Sequence, residues 1–331
     1  MAKHAVGIVG ATGAVGAELM SVLADLNYPV GSLHLFASER SAGKTTTTPF
    51  GEKTIEAFSV EAAQQCDVVF LAVSGEFAKE YAPKIAEKAL VIDNSSAFRL
   101  DDAVPLVIPE INPETAKGKK LIANPNCTTA ILAVALWPLH QAFGVKKVIV
   151  SSYQATSGAG VEGMNELLAE SRVVLDGGTA GHKVFAHPIA FNLIPHIDSF
   201  QPNGYTREEM KVTWETQKIF GAPQMAISCT AVRVPTLRVH SEAVTIETEK
   251  PITVEGARAA IAAAKGVKLF DDPDNKVYPM PINATKQHDC NVGRIRQSLI
   301  FGDHGIDFFV SGDQLLKGAA LNAVQIAQLF V

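Results

Sequence analysis

Short uninterrupted apolar runs recur through the first third of the chain, separated by stretches with helical spacing. AVGIVG (5–10) predicts a buried strand, and GAELMSVLADL after it predicts a helix. LHLFA (33–37), DVVFLAV (67–73), ALVID (89–93) and LVIP (106–109) predict further strands. Between two of them, EFAKEYAPKIAEKA (76–89) has helical charge spacing, and Pro83 would bend or shorten that helix. Strands buried on both faces read as continuous apolar runs, and their alternation with helices predicts a parallel sheet with helices on both sides.

The pattern changes after about residue 145. KKVIVSSYQAT, EAVTIETEKPI and NVGRIRQSLIF (291–301) alternate in the manner of antiparallel strands, and helices over 161–175 and 253–264 would cover one face of their sheet. The uncharged segment 121–145 predicts a helix from Thr128 to Gln141; its continuous apolar part, Ala130 to Leu139, is too short to span a bilayer. At the C-terminus, Leu315, Leu316, Ala319, Ala323, Ile326, Ala327 and Phe330 fall on one helical stripe, for which the first domain is a reasonable host. The expected fold is therefore α/β. A Rossmann-like domain with a parallel sheet spans 1–125 plus 311–331, and an α+β domain with a mixed, largely antiparallel sheet spans 126–310.

Two domains also suit a length of 331 residues. With 47% hydrophobic and 19% charged residues the chain is globular in composition, and a net charge of −5 gives no reason to expect general affinity for nucleic acid or anionic membrane. The first ten residues, MAKHAVGIVG, lack the pattern of a secretory signal. Four dispersed cysteines, Cys66, Cys127, Cys229 and Cys290, form no CxxC pair and no cluster at metal-ligand spacing, which favours reduced thiols in a cytoplasmic protein and predicts no metal site.

The first candidate chemistry lies in IVGATGAVGAEL, a glycine-rich turn between a predicted strand and a predicted helix. Gly10 would permit the tight turn, Gly13 the close approach of a pyrophosphate and Gly16 the packing of helix on strand; Thr12, Ala14 and Val15 complete the loop. Its spacing, G-x-x-G-x-x-G, carries one residue more than the usual dinucleotide fingerprint, and a merely tight turn is the competing reading. At the end of the second strand, Ser38, Arg40 and Ser41 stand where an NAD enzyme would carry a ribose-binding acid. Arg with two hydroxyls suits a 2′-phosphate, so NADP is favoured, with Glu39 as a competing acid and a solvated loop as the bland alternative.

The second candidate is Cys127 in ANPNCTTAILAVALWPL (123–139), at the start of a predicted helix whose unpaired amides favour a thiolate. Asn126 would cap that helix or donate to an oxyanion. A free cysteine is more often a small buried hydrophobe, which is the expectation for Cys66 and Cys290; Cys229 also precedes a threonine but lies in an alternating strand. A thiolate beside a nicotinamide suggests attack on an aldehyde, hydride loss and a thioester. Of nine histidines, His240 in RVPTLRVHSEAVTIE has the most promising neighbourhood, whereas His187 and His196 read as packing.

GATGAVG, SERSAGK, DNSSAFR, PNCTT, SYQATSGAG, EEMK and VPTLRVHSE, in this order, resemble the aspartate-β-semialdehyde dehydrogenase family along effectively the whole chain. PNCTT alone is shared in part with glyceraldehyde-3-phosphate dehydrogenase. The resemblance implies an NADPH-dependent reduction of β-aspartyl phosphate to aspartate semialdehyde, on the route to lysine, methionine and threonine. It implies Cys127 as the acyl-carrying nucleophile, His240 as general acid/base and Gln154 as the residue orienting substrate. Arg99 and Lys211 would hold the phosphate, Arg233 the α-carboxylate and Glu208 the α-amino group. Ser157 and Gly158 would lie near the nicotinamide, Asn322 would contact cofactor, and the second domain would carry a homodimer interface. REEMK reads equally as ion pairing along a helix face. The competing functions are N-acetyl-γ-glutamyl-phosphate reductase, whose substrate offers Glu208 no cation, and a non-catalytic NADP-binding regulator with a redox-sensing thiol.

Overall fold

The computed structural model describes residues 3–331. Among these described residues the chain divides into two compact units, one running up to Asn126 and resuming over Ala319–Val331, the other spanning Cys127–Gly318.

The first unit contains β1 (His4–Val9), α1 (Ala14–Asp25), β2 (Val30–Ala37), β3 (Thr45–Thr48), β4 (Gly51–Ala57), α2 (Val60–Ala63), β5 (Val68–Leu71), α3 (Gly75–Ile85), β6 (Leu90–Asp93) and β7 (Leu121–Ala123). Its described strands form one sheet in the order β3-β4-β2-β1-β5-β6-β7, parallel throughout except for the β3–β4 hairpin. Val6, Ile8, Val69, Phe70, Val91 and Ile92 are fully buried, the reason these strands read as unbroken apolar runs. Pro83 is accommodated inside α3, which ends two residues later. The β3–β4 hairpin escaped the hydrophobic pattern because only Thr48 and Ile55 of its residues are buried.

LVIP (106–109) is not a strand; it makes only a single bridge, Leu106 to Ala123. Its residues are buried, but the Asn112 side chain takes the place of a ladder, accepting from the Ile108 N–H (3.0 Å) and donating to the Leu106 carbonyl (2.9 Å). A side chain that satisfies buried backbone groups removes the need for a neighbouring strand.

The second unit contains α4 (Cys127–Phe143), β8 (Val145–Gln154), α5 (Gly160–Leu175), α6 (Arg207–Phe220), β9 (Ala226–Arg233), β10 (His240–Thr248), α7 (Val254–Ala263), β11 (Val267–Leu269), α8 (Pro281–Ala284), β12 (Cys290–Ser298) and β13 (Gly302–Gly312). Its sheet has the order β11-β12-β13-β10-β8-β9, with antiparallel pairing in the middle and parallel pairs at both edges. Val148, Val150, Val244, Ile246, Phe308 and Val310 point to one buried face, where α4, α6 and α7 pack. α4 is buried on all sides from Thr128 to Leu136, which explains its lack of charge. α5, expected on this face, packs instead on the turn Thr156–Ala159, with Leu167 clustered against Ile189, Ala190 and Ile194.

The last helix begins later than its stripe suggests. A π-helical turn covers Leu316–Ala320 and α9 covers Leu321–Gln328. Asp313 cannot join them, because its carboxylate accepts from Arg238 Nε (2.6 Å) and the N–H groups of Lys286 and Leu315. The chain therefore re-enters the first unit at Ala319 and not at residue 311. There α9 packs on α1 and β6 with Ala323, Ile326 and Ala327 fully buried, while Phe330, placed on the same stripe, is 38% exposed. No helix among the described residues is long and apolar enough to cross a membrane.

Candidate active site

Register in the second sheet assembles the site. Ser241 pairs with Tyr153 and Gln154 with Arg233, so His240, Gln154 and Arg233 form one row across β10, β8 and β9. All three are buried. Alternation along a strand then puts Glu242, two residues on, in the row behind, opposite Ser152.

The loops at the end of this row hold one another. Thr156 donates to the Thr236 carbonyl through its N–H and its hydroxyl, both at 2.9 Å, and the Ser157 N–H donates to the Leu237 carbonyl. Between them, Ala155 donates its N–H to His240 Nδ1 (3.0 Å) and accepts from Arg233 Nη1 at its carbonyl (2.6 Å). The Phe185 ring lies beneath the Arg233 guanidinium, 5.7 Å away. Val239, just before His240, is a β-branched residue at φ +78°, a costly conformation. Its N–H is held by Gln314 Oε1 (2.7 Å), while Gln314 Nε2 donates to Ser157 Oγ.

Two glycines make room. A methyl on Gly158 would stand 2.7 Å from Arg233 Nη1 and 3.5 Å from the His240 ring, and one on Gly318 would stand 2.7 Å from Cys127 Cβ. Cys127 itself opens α4 and is half-buried. By contrast, burial pushes the Cys66 thiol up to about 11 and Cys229 well above its ordinary value, so both stay protonated.

α6 supplies the acidic and basic pair. A capping box between Thr206 and Glu209 fixes its start, and Glu209 also accepts from the Ala231 N–H on β9. Glu208 is thereby set over the row, accepting from Gln154 Nε2 (3.2 Å) and Lys211 Nζ (3.2 Å). Gln154 Oε1 accepts from Ser152 Oγ (2.9 Å), so both ends of that amide are fixed. Lys211 also pairs with Asp198 at 2.7 Å; although burial opposes its charge, Glu208 and Asp198 hold its ammonium above the usual lysine range. Burial, reinforced by the nearby Arg233 charge, pulls His240 down to about 3, and its Nε2 is buried without a hydrogen-bond partner. Burial also pushes Glu242 well above the usual carboxylate range, and neither of its oxygens is hydrogen-bonded.

The first unit carries the other candidates. Gly10 sits at φ +86°, where a methyl would lie 2.2 Å from the Ala72 carbonyl, and a methyl on Gly16 would lie 2.5 Å from the Gly10 carbonyl. Gly13 is the N-cap of α1 and provides no side-chain cap, which leaves the first-turn amides, beginning at Ala14 and Val15, to a phosphate; Thr12 is exposed on the same loop. This cradle fits a dinucleotide. Ser38 and Arg40 are exposed just past β2, and Ser41 closes their turn with its N–H to the Ser38 carbonyl. Arg99 is buried, its guanidinium donating to the Asn124 carbonyl (2.9 Å) and the Asn94 carbonyl (2.7 Å). Asn322 is fully buried, and its Nδ2 donates to Asn124 Oδ1 and the Val107 carbonyl, a tie from α9 to the strand ends. Asn126 is buried at the residue before α4.

The structure thus brings Gln154, Glu208, Lys211, Arg233, His240, Ser157 and Gly158 together with Cys127 in the second unit. It groups Gly10 to Val15, Ser38, Arg40, Ser41, Arg99, Asn126 and Asn322 in the first. Sequence reasoning missed Ala155, Asp198, Glu242, Gln314 and Gly318. Only Glu242 left a signal, since in VHSEAVTI the inward alternation runs His, Glu, Val, Ile.

Comparison with known proteins shows the family. Residues 5–119 match the family model for the semialdehyde dehydrogenase NAD binding domain, and 136–317 match that for the semialdehyde dehydrogenase dimerisation domain. An aspartate-semialdehyde dehydrogenase of Synechocystis sp. is 49% identical over 328 residues, covering 98% of this chain and 97% of the relative. That of Aquifex aeolicus is 45% identical, covering 99% and 98%. Among solved structures, aspartate semialdehyde dehydrogenase II of Vibrio cholerae, complexed with ASA, superposes with a TM-score of 0.95 at 40% identity, covering 100% of this chain and 98% of its own. The chain belongs to the semialdehyde dehydrogenase family.

Proposed function

We propose that this protein is an aspartate-β-semialdehyde dehydrogenase that reduces L-4-aspartyl phosphate to L-aspartate 4-semialdehyde and phosphate, reversibly, through a thioester on Cys127. The observation that carries this reading is the single row His240–Gln154–Arg233, with Glu208 and Lys211 on the helix above it. A small substrate bearing an ammonium, a carboxylate and a phosphate needs several fixed ionic partners. Arg233 takes the α-carboxylate, Glu208 the α-ammonium and Lys211 the phosphate, with Arg99 as the second cation assigned to that group. Gln154, fixed at both ends, orients the acyl group. Cys127 as thiolate attacks the acyl carbon, helped by the amides of α4, and the C–O bond to phosphate breaks. The nicotinamide, when bound, supplies or accepts the hydride. His240 acts as the general acid/base.

NADP is the proposed cofactor, resting on exposed Arg40 between Ser38 and Ser41. Replacing Arg40 with Ala should weaken NADP at least tenfold more than NAD, measured by titration of intrinsic fluorescence; equal loss would remove the 2′-phosphate assignment. A homodimer is proposed through the second face of the second sheet, where Ile149 (46% exposed) and Tyr153 (36%) point away from α4, α6 and α7. Cytoplasm is the proposed compartment, a reading supported by the dispersed cysteines and the reactive thiol.

The decisive assay supplies L-aspartate semialdehyde, phosphate and NADP, beside the N-acetyl-glutamate semialdehyde substrate of the competing reductase. Wild-type protein should turn over the first, and Cys127→Ala should abolish turnover while binding NADP as before. Turnover that survives in this variant defeats the nucleophile assignment; preference for the N-acetylated aldehyde defeats the substrate.

A further inference from the structure

We propose that Phe185 is a positioning residue for the substrate carboxylate: its ring is a platform that holds the Arg233 guanidinium in place and leaves its N–H groups to the ligand. This inference rests on the dehydrogenase reading above and on its assignment of Arg233 to the α-carboxylate.

Arg233 is 6% exposed, yet among the described residues no carboxylate forms an ion pair with it. Its guanidinium makes one hydrogen bond there, from Nη1 to the Ala155 carbonyl (2.6 Å). Glu208 is near enough to favour the charge but is already shared between Gln154 and Lys211. A cation buried in this way needs compensation. The Phe185 ring supplies part of it, with the guanidinium carbon 5.7 Å from the ring centroid. A ring face attracts a cation without occupying the N–H groups at its edge. A carboxylate in the same place would take them up and compete with the substrate.

The surrounding segment is built to hold that ring still. Phe185 lies in a stretch without helix or strand, and its neighbours Val184, Ala186 and His187 are exposed. The Glu166 carboxylate on α5 gathers the successive N–H groups of Lys183 (3.0 Å), Val184 (2.8 Å) and Phe185 (3.2 Å). His182 Nδ1 donates to the Phe185 carbonyl (3.0 Å). One turn further along α5, Glu170 accepts from the Ile189 and Ala190 N–H groups. One turn back, Gly163 is bare, and a methyl there would stand 3.0 Å from the tip of the Phe185 ring. Gly163, Glu166 and Glu170 follow one another at helical spacing, so one face of α5 sets both ring and backbone. The same stretch then reaches Arg233 itself, where Ile194 exchanges backbone hydrogen bonds of 3.0 and 2.8 Å with it. Arg233 is thus gripped at its backbone by Ile194 and at its head by Phe185.

Plain packing would ask only for an apolar side chain of similar size. The two roles differ in what they do to ligands. A platform acts through the Arg233 charge, so its removal is felt by a substrate that carries an α-carboxylate and not by one that lacks it. Lost packing is felt by every substrate.

The test compares Phe185→Leu, which keeps apolar bulk, with Phe185→Tyr, which keeps the ring face, in the full-length enzyme. Two aldehydes are oxidised with phosphate and NADP: L-aspartate semialdehyde, and 3-aminopropanal, in which hydrogen replaces the α-carboxylate. Phe185→Leu should lower kcat/KM for aspartate semialdehyde about tenfold, chiefly through KM, while Phe185→Tyr stays within about twofold of wild type. On 3-aminopropanal the Leu variant and wild type should be equal; NADPH formed in a single turnover with enzyme in excess gives this ratio where steady-state turnover is slow. Equal loss on both aldehydes, or none on aspartate semialdehyde, overturns the platform. Thermal melts identify a variant that fails to fold, in which case Phe185→Met supplies the same comparison. Wild-type protein that oxidises neither aldehyde overturns the dehydrogenase reading and this proposal with it; an active wild type with equal losses overturns this proposal alone.

Discussion

At the scale of single residues, the site depends as much on missing side chains as on present ones. Gly158 is exposed, yet a methyl there would collide with Arg233 and crowd His240. Gly158→Ala should therefore leave thermal stability almost unchanged and lower kcat/KM about 10²-fold, since a displacement near 1 Å is enough for such a loss; steady-state kinetics beside a thermal melt would check it, and unaltered kinetics would refute the close approach. Glu242 is the opposite case, a fully buried carboxyl without a hydrogen bond. Burial raises its folded pKa, so above its unfolded value of 4.5 the native state binds more protons than the unfolded chain, and stability falls as pH rises. Glu242→Gln removes this penalty, so its melting temperature should gain on wild type progressively from pH 5 to pH 8. Parallel curves would show that Glu242 is ionised in the fold. His240 contributes with the other sign: its folded value of about 3 lies below the unfolded 6.5, so stability is present above pH 6.5 and is lost as pH falls toward 3.

At the scale of elements, strand register decides which residues meet. Gln154 lies far in sequence from Arg233 and His240, yet the three fall into one row because β10, β8 and β9 are neighbours with fixed pairing. The alternation of VHSEAVTI told that His240 and Glu242 share a face with Val244 and Ile246. It could not tell which strands lie beside them. The same limit explains LVIP (106–109), where burial was legible and strand pairing was not, because the competing partner was the Asn112 side chain. It also explains β13, whose charged and glycine-rich GDHGIDFFVSG hides a central strand. Cys127 stood out for a local reason: it lies at the polar start of an uncharged helix, where unpaired amides favour a thiolate.

At the scale of the molecule, the two faces of the second sheet differ. One is covered by α4, α6 and α7; the other presents Ile149 and Tyr153 with Phe309 beside Tyr153, ring centroids 6.1 Å apart. Large apolar side chains exposed together among polar ones on a sheet face mark an interaction surface. If a second copy covers it, Ile149→Lys should convert the assembly to monomers, read by sedimentation velocity, with Cys127 still alkylated at its usual rate. A chain that remains dimeric would put the interface elsewhere.

The sequence alone determined what depends on near neighbours: the strand–glycine turn–helix of the nucleotide loop, the apolar helix led by Cys127, the division into an alternating half and a mixed half, and the motifs that mark the family. Tertiary structure decided the rest. Only folding brings the Ala155 N–H to His240, Glu208 to Gln154, and the bare Cα of Gly318 to Cys127. The reason is physical: helical and strand periodicities are set within a few residues, whereas a hydrogen bond or a close contact across the fold is set by which distant segments pack together.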